Sequence, residues 1–297
     1  MIDLIGNTPL VEISPSLHNT SNKIYAKLEY FNPTKSLKDR VALAMIKNAE
    51  SAGLINRDST LIEPTSGNMG ISLAFIGGLF GYKVILTMSE AMSVERRNLI
   101  KHYGAELVLT KKELGFNGAI DEAYRLSKNI QNSVVLNQYK NPANFEIHRT
   151  QTGEEIYNQL PNIDMFVAGA GTGACISGVS ACIKAKKDLH SVAVEPTESD
   201  ILSGGEKWSP HSLQGIGPNF IPENFKKQYI DEILNVSKND AYNFTKFLAK
   251  NAGIDSGISG GANGFAAFQM AKKHSNKNIC FMVCDSCERY MSTDLFS

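Results

Sequence analysis

The chain has 297 residues, which is enough to bury one large α/β core or two modest ones. Its 30 basic and 30 acidic residues leave no excess charge, which argues against nucleic acid and anionic membranes as partners. The first residues, MIDLIGNTPLVEI, lack a basic region followed by a long apolar run, and no later segment has the uncharged length needed to span a bilayer. We therefore expect a cytoplasmic protein that acts on a small molecule.

Apolar runs that predict strands alternate with patterns that predict helices. In chain order, the predicted strands are 24–30, 60–64, 83–88, 106–110, 133–138, 165–171, 191–196, 232–236 and 278–284. The predicted helices, also in chain order, are 37–52, 69–80, 94–104, 117–130, 143–160, 177–187, 240–253 and 262–274. Such alternation builds parallel sheets covered by helices on both faces, with ligands at the carboxyl ends of the strands.

Two loops between a predicted strand and a predicted helix are candidates for ligand binding. GAGTGACISG, Gly169 to Gly178, is rich in glycine and opens a helix, so its backbone amides can hold a phosphate. TSGNMG, Thr65 to Gly70, brings small hydroxyls and an amide to a helix start, which suits a carboxylate. Glycine is common at such turns for conformational reasons, so neither loop is specific alone.

The glycine-rich loop also fits a nicotinamide-binding protein. GAGTGA follows a predicted strand, and Glu195 ends the next one, which matches the dinucleotide fingerprint. Against this interpretation, the loop lies in the second half of the chain rather than in the first strand-to-helix turn. The fingerprint also leaves Lys38 and the TSGN sequence without a role.

Lys38 stands at a predicted helix start, in FNPTKSLKDRVALAMI. Ser36-x-x-Asp39 predicts an N-cap at Ser36 with an acidic residue at the third helical position. The positive end of the helix dipole there would favour a neutral, nucleophilic lysine. The alternative is a lysine that points into water, and this stretch alone favours the alternative.

The five cysteines do not predict a disulfide scaffold in a chain of this length. Cys284-x-x-Cys287 has the spacing of a redox pair or half a zinc site, but no second such pair or histidine motif accompanies it. We therefore interpret the pair as two cysteines beside a strand end and predict no metal site.

Taken together, the motifs resemble those of the cysteine synthase family, which are pyridoxal phosphate enzymes of fold type II and include O-acetylserine sulfhydrylase and cystathionine β-synthase. The resemblance extends over essentially the whole chain, through IGNTPLVEI, NPTKSLKDR, TSGNMGISLA, MSVERRNLIKHYGAELVLT, NQYKNPAN, GAGTGACISGV, AVEP, LSGG, PHSLQGIGPNFIP, GISGGAN and ERYMST. It implies an α/β fold of the tryptophan synthase β type, with two domains built on twisted, mostly parallel sheets covered by helices. The smaller, mobile domain would span residues 35–136, and the larger one residues 1–34 and 137–297.

The resemblance also implies a role for individual residues. Lys38 would bind pyridoxal 5'-phosphate as a Schiff base and act as the catalytic base. The implied cofactor contacts are Lys38, Asn68, Gly171, Thr172, Gly173, Ala174, Cys175 and Gly260. The implied substrate contacts are Thr65, Ser66, Gly67, Asn68, Met69, Gln138 and Gly215. We call residues 65–69 the carboxylate loop and residues 171–175 the phosphate loop.

Three of these positions depart from the family pattern. Met69 and Cys175 stand where threonine is usual, which removes a hydroxyl from each loop. Gly260 occupies the place expected for the serine that donates to the pyridine nitrogen. Ser259, Asp285, Ser286 or water could supply that donor instead, or the position is one that tolerates change.

The activity implied is β-replacement, which would make L-cysteine from O-acetyl-L-serine and sulfide. The alternative within the same chemistry is β-elimination or exchange on cysteine, either releasing sulfide or condensing a thiol. A non-catalytic binding protein is less consistent with the retention of Lys38, Asn68 and Gln138. The resemblance further implies a homodimer, with serine acetyltransferase as a possible partner.

Overall fold

The computed structural model describes residues 1–65, 67–91, 93–205 and 208–297. Its strands are β1 Leu10–Ile13, β2 Lys23–Leu28, β3 Thr60–Pro64, β4 Lys83–Ser89, β5 Glu106–Thr110, β6 Ser133–Val135, β7 Met165–Gly169, β8 His190–Pro196, β9 Glu232–Val236 and β10 Asn278–Val283. Its α-helices are α1 Lys38–Ser51, α2 Asn68–Phe80, α3 Val94–His102, α4 Gly115–Asn129, α5 Pro142–Ile147, α6 Gly153–Gln159, α7 Ala174–Lys184, α8 Lys238–Phe247 and α9 Ile258–Lys273.

The strands form two sheets. The larger has the order β1-β2-β10-β7-β8-β9 and the smaller has the order β5-β4-β3-β6. Every pairing is parallel except that of β1 with β2, which places one antiparallel strand at the edge of the larger sheet. The predicted α/β architecture with mostly parallel sheets is therefore confirmed, although β1 was not predicted because it has only four residues and little alternation.

Most elements form where the local pattern predicts them. All five residues of β3 are buried, as expected for a central strand of a sheet covered on both faces. The helix α2 begins one residue before its predicted start and ends before Gly81, whose φ of 82° suits glycine.

The helix predicted at 143–160 is interrupted by a π-helical segment, His148–Thr152, between α5 and α6. This segment lies where α7 packs closely against the run. A Cβ on Gly178 of α7 would be 2.7 Å from the Phe145 carbonyl oxygen and 2.9 Å from the Arg149 nitrogen. Close packing against a neighbouring helix, which sequence periodicity does not report, accompanies the departure from α-helical geometry.

The helix α1 connects the two sheets. Its apolar residues Val41, Met45 and Ile46 are buried in the same hydrophobic cluster as Leu61 of β3 and Leu86 of β4. On this face α1 therefore packs with the smaller sheet.

On its other side α1 is attached to the larger sheet by buried ion pairs. Arg40 donates to both carboxylate oxygens of Glu29, at 2.7 and 2.8 Å, and to both of Glu155, at 2.7 Å each. Lys27 of β2 donates to Glu155 at 2.9 Å. Burial would raise the pKa of Glu29, but the charge of Arg40 and hydrogen bonds from Arg40 and Thr8 hold it below its usual value.

Candidate active site

Lys38 is the first residue of α1 and lies beside the segment that follows β10. Ser36 and Asp285 form an isolated antiparallel bridge, and the Leu37 nitrogen donates to the Cys284 carbonyl oxygen at 3.0 Å. This bridge moves the start of the helix. The predicted N-cap at Ser36 is therefore wrong: Leu37 is the N-cap, and the Ser36 hydroxyl only accepts from the Lys38 nitrogen at 3.3 Å.

Asp39, predicted at the third helical position, is the second helical residue and does not complete a capping box. Its carboxylate is buried and accepts hydrogen bonds from the Thr34 nitrogen at 2.7 Å, from the Thr34 hydroxyl, and from the Ser72 hydroxyl at 2.6 Å. Ser72 belongs to α2, so Asp39 fixes the start of α1 against the helix that follows the carboxylate loop.

Lys38 is half-buried rather than exposed to water. Burial lowers the pKa of its amine, while the nearby Cys284, Cys175 and Asp285 act in the opposite direction. Because the pKa is lowered overall, the neutral amine that a nucleophile or base requires forms more readily than on an exposed lysine.

Asn68, the first residue of α2, contacts the segment after β10 through both ends of its amide. Its nitrogen donates to Asp285 at 2.6 Å, and its oxygen accepts from the Arg289 guanidinium. Asp285 also accepts from the Tyr290 hydroxyl at 2.7 Å. Sequence reasoning missed Arg289, for which the only signal was its place in ERYMST.

The carboxylate loop has a buried start and a buried end. Thr65 is buried, and its hydroxyl accepts from the Gly67 nitrogen at 3.4 Å. Met69 is buried in the hydrophobic cluster of α1 and the smaller sheet, so its side chain contributes to packing. Ser66 lies outside the described residues.

Gln138, predicted to assist the carboxylate loop, follows β6 and is held firmly. Its nitrogen donates to Glu63 at 2.9 Å, and its carbonyl oxygen accepts from Asn144 at 2.8 Å and from Asn224 at 3.1 Å. Sequence reasoning missed Glu63, although a single carboxylate in the otherwise apolar strand TLIEP was a possible signal.

The phosphate loop joins β7 to α7 and depends on its glycines. A Cβ on Gly171 would be 2.1 Å from the Gly215 carbonyl oxygen, and one on Gly173, whose φ is 76°, would be 2.5 Å from Phe225. Thr172 is buried, and its hydroxyl accepts from Asn144 at 3.2 Å. Ala174 begins the 11-residue helix α7, so the loop presents backbone amides at a helix N-terminus.

The two cysteines near Lys38 are free thiols. Burial raises the pKa of Cys175 well above its usual value and that of Cys284 to about 12. The side-chain amide of Asn263 donates to the Cys284 sulfur at 3.9 Å. Ser259 is buried in the first turn of α9.

Gly260 has an ordinary helical backbone, but space around it is limited. It lies in the first turn of α9 and does not have a positive φ. A Cβ there would be 2.3 Å from the Ser256 hydroxyl oxygen and 3.3 Å from Val283. The hydroxyl of Ser256 thus occupies the volume that a side chain at position 260 would need.

We expect Gly260→Ser to destabilise the protein by about 1–3 kcal/mol, because the buried Ser256 hydroxyl must move. Removing that hydroxyl in Ser256→Ala/Gly260→Ser should restore most of the loss. Thermal unfolding and the visible absorbance of bound cofactor would measure both variants. A Gly260→Ser variant as stable as the unsubstituted protein would contradict the crowding seen here.

Glu195, the acid of the possible dinucleotide fingerprint, is buried and already engaged. Its carboxylate accepts from the Leu202 nitrogen at 2.9 Å and the Ser203 nitrogen at 3.0 Å. Its oxygens therefore hold a neighbouring loop, and this weakens the nicotinamide interpretation.

The residues present fit pyridoxal phosphate. A lysine with lowered pKa, a glycine loop at a helix start and an amide side chain are gathered at the carboxyl ends of the strands. Within the described part of the chain, the buried Ser286 hydroxyl and one oxygen of the buried Asp285 also lack hydrogen-bond partners, as expected of atoms that face a polar ligand.

A family model described as pyridoxal-phosphate dependent enzyme matches residues 1–285. The chain belongs to this family. Cysteine synthase B of Campylobacter jejuni is 48% identical over 99% of this chain and 97% of its own. The structure of a cysteine synthase from Entamoeba histolytica has a TM-score of 0.95 and 39% identity, covering 99% of this chain and 89% of that one. A hydrogen sulfide-producing enzyme from Fusobacterium nucleatum has a TM-score of 0.94 and 40% identity, covering 98% of both chains.

These similarities confirm the resemblance to the cysteine synthase family, the fold type II architecture and the dependence on pyridoxal phosphate. They do not test individual site residues or the domain boundaries, which remain predictions.

Proposed function

We propose that this enzyme makes L-cysteine from O-acetyl-L-serine and sulfide, with acetate as the second product. Cysteine synthase B of Campylobacter jejuni and the Entamoeba histolytica cysteine synthase support this reaction. The structural observation that carries it is the placement of Lys38, with its lowered pKa, beside the segment after β10, which also contacts Asn68 of the carboxylate loop.

Each part of the site has a role in this proposal. Lys38 would bind the cofactor covalently, and its amine would remove the substrate's α-proton and later return a proton. The phosphate loop, Gly171 to Cys175, would hold the cofactor phosphate with its backbone amides, and Asn68 would donate to the ring oxygen. When bound, pyridoxal phosphate would supply the electron sink for the substrate's α-carbon. Ser259, which is buried next to Gly260 in α9, is the candidate to donate to the ring nitrogen.

The substrate carboxylate binds the carboxylate loop in this proposal. Thr65, Ser66, Gly67 and Asn68 contribute its polar groups, and Gln138 completes the site. Met69 contributes packing rather than a hydroxyl. Gly215, the other implied substrate contact, packs against Gly171 of the phosphate loop.

The reaction is tested by mixing the purified protein, loaded with pyridoxal phosphate, with O-acetyl-L-serine and sulfide. Cysteine and acetate should form in equal amounts. Omitting sulfide is the control, because the replacement then lacks its nucleophile. Acetate release without cysteine, at the same rate with and without sulfide, would contradict the proposal.

A second candidate is release of sulfide from L-cysteine, which the similarity to the Fusobacterium nucleatum enzyme favours. Incubating the protein with L-cysteine alone, and then with a second thiol such as homocysteine, would detect elimination or exchange. The ratio of this rate to the rate of cysteine formation decides which direction is the main activity.

We also propose that residues 35–136 move toward the rest of the chain when an amino acid binds. The carboxylate loop begins α2 beside the smaller sheet, whereas the phosphate loop begins α7 beside the larger one. A substrate that bridges them would close the site and exclude water. Crystal structures with and without a bound amino acid would measure the angle between the sheets, and an identical angle and loop position would argue against closure.

The remaining expectations concern the cellular location, the oligomeric state and a protein partner. No helix among the residues described is long and apolar enough to cross a membrane. We propose a cytoplasmic homodimer that can bind serine acetyltransferase. Light scattering after size exclusion, with and without the acetyltransferase, tests the last two points.

A further inference from the structure

Glu63 is a buried carboxylate on which the turn after β6 depends. It is the fourth residue of β3, only 1% exposed, and lies beside β6 in the smaller sheet. One of its oxygens accepts from the Asn137 nitrogen at 2.7 Å, and the other accepts from the Gln138 nitrogen at 2.9 Å. The sheet ladder ends just before them, where the Leu136 nitrogen donates to the Ile62 carbonyl oxygen. Glu63 therefore accepts hydrogen bonds from the first two backbone nitrogens that follow the end of the pairing with β3.

The conformation of this turn needs such support. Asn137 has a φ of 55°, in the left-handed region that residues other than glycine enter only at a cost. The carbonyl oxygen of the next residue, Gln138, is fixed from the opposite side by the amides of Asn144 and Asn224. The backbone of Gln138 is thus held at both its donor and its acceptor.

Burial of the Glu63 carboxyl raises its pKa to about 7, while the backbone donors of Gln138 and Asn137 act in the opposite direction. Each oxygen of this carboxyl accepts from one of the two backbone nitrogens, and these contacts fix the position of the Gln138 backbone relative to β3.

We propose that Glu63 is a positioning residue for the amino-acid substrate: by holding the turn at Asn137 and Gln138, it places Gln138 where its amide donates to the substrate carboxylate. This inference rests on the proposed function, in which Gln138 binds that carboxylate. Glu63 itself does not contact the substrate.

The test compares amino acids with their carboxamides. Dissociation constants for L-serine and L-serinamide are measured from changes in the visible absorbance of the cofactor-loaded protein. In Glu63→Gln the side chain of residue 63 has one acceptor oxygen and one NH2 group, so it cannot accept from both backbone nitrogens as the carboxyl does, and the turn that places Gln138 is weakened. Binding of L-serine should weaken about tenfold, which is the effect of losing one hydrogen bond to a charged group, while binding of L-serinamide should change little.

Two further variants separate positioning from a general structural defect. In a Gln138→Ala background, Glu63→Gln should have little additional effect on L-serine binding, because both changes remove the same contact. Glu50→Gln is the matched control: Glu50 also accepts hydrogen bonds, from Tyr82 and Lys47, but on the outer side of the protein, and its substitution should leave both dissociation constants unchanged.

Equal weakening for L-serine and L-serinamide in Glu63→Gln, or additive effects of the two substitutions, would overturn the inference. Should Glu63→Gln not fold, Glu63→Asp retains the charge but withdraws the carboxylate by one methylene, and an unchanged ratio of the two constants there would also overturn it. Failure of the unsubstituted protein to bind L-serine at all would contradict the proposed function instead.

Discussion

Replacing Lys38 with alanine should reduce cysteine formation by at least about a thousandfold, since the proposed cofactor attachment and the proposed α-proton base would be lost together. The fold should persist, because the helix start is held by backbone contacts that alanine retains. These are the Leu37 nitrogen to Cys284 and the Lys38 nitrogen to Ser36. Steady-state rates, circular dichroism and the visible absorbance of the lysine-linked cofactor would measure the three effects.

Lys35→Ala is the matched control for this experiment. Lys35 is exposed and pairs with Glu288 at the surface, only three residues before Lys38. Its loss should change neither the rate nor the absorbance by more than a small factor. Near-normal cysteine formation by Lys38→Ala would show that another residue carries the chemistry.

The second large effect is expected at Arg40. Arg40→Met keeps most of the side-chain volume but leaves the buried Glu29 and the mostly buried Glu155 without the guanidinium that neutralises them. Removal of one partner from a buried ion pair costs about 3–5 kcal/mol, so the urea midpoint should fall sharply. Arg125→Met is the control, because its pair with Glu122 is at the surface and its loss should barely change the urea midpoint.

The loss at Arg40 should depend on pH with a definite sign. In the unsubstituted protein the pKa of Glu29 is lowered, so its ion pair contributes stability above the unfolded pKa, and this stability is lost as pH falls through the folded pKa. Without Arg40, burial raises the pKa of Glu29, and protonation relieves the uncompensated charge. The difference in stability between the two proteins should therefore shrink as pH is lowered from 8 to 5. A difference that is constant over this range would show that Glu29 is not the group left unpaired.

Sequence patterns predict the structure well where it depends on neighbouring residues and fail where it depends on contacts between residues far apart in the chain. Local patterns predict β3 and β5 without error and α2 to within one residue, because burial and the glycine stop signal are encoded in neighbouring positions. The cap at Ser36 fails because a bridge to Asp285, far along the chain, competes with it.

The same reasoning explains which site residues were missed. Asn68 and its partner Asp285 are 217 positions apart, and Glu63 and Gln138 are 75 apart. No periodicity connects such pairs, so the sequence indicates Asn68 and Gln138 through family motifs but not their contacts with Asp285 and Glu63. Crowding at Gly260 has a different cause: it depends on the local backbone between Ser256 and the start of α9 and on Val283 of β10, neither of which periodicity reports.

Because α1 is attached to both sheets, it determines which parts of the site move together. The ion pairs of Arg40 and the bridge at Ser36 join the beginning of this helix to the larger sheet, whereas Met45 and Ile46 pack with the smaller one. The first turn of α1 belongs to the unit proposed to move, residues 35–136, but it is also attached to the larger sheet, so it would act as the hinge of that movement. Lys38, at this hinge, would therefore be displaced less than the outer strands of the smaller sheet when the unit closes.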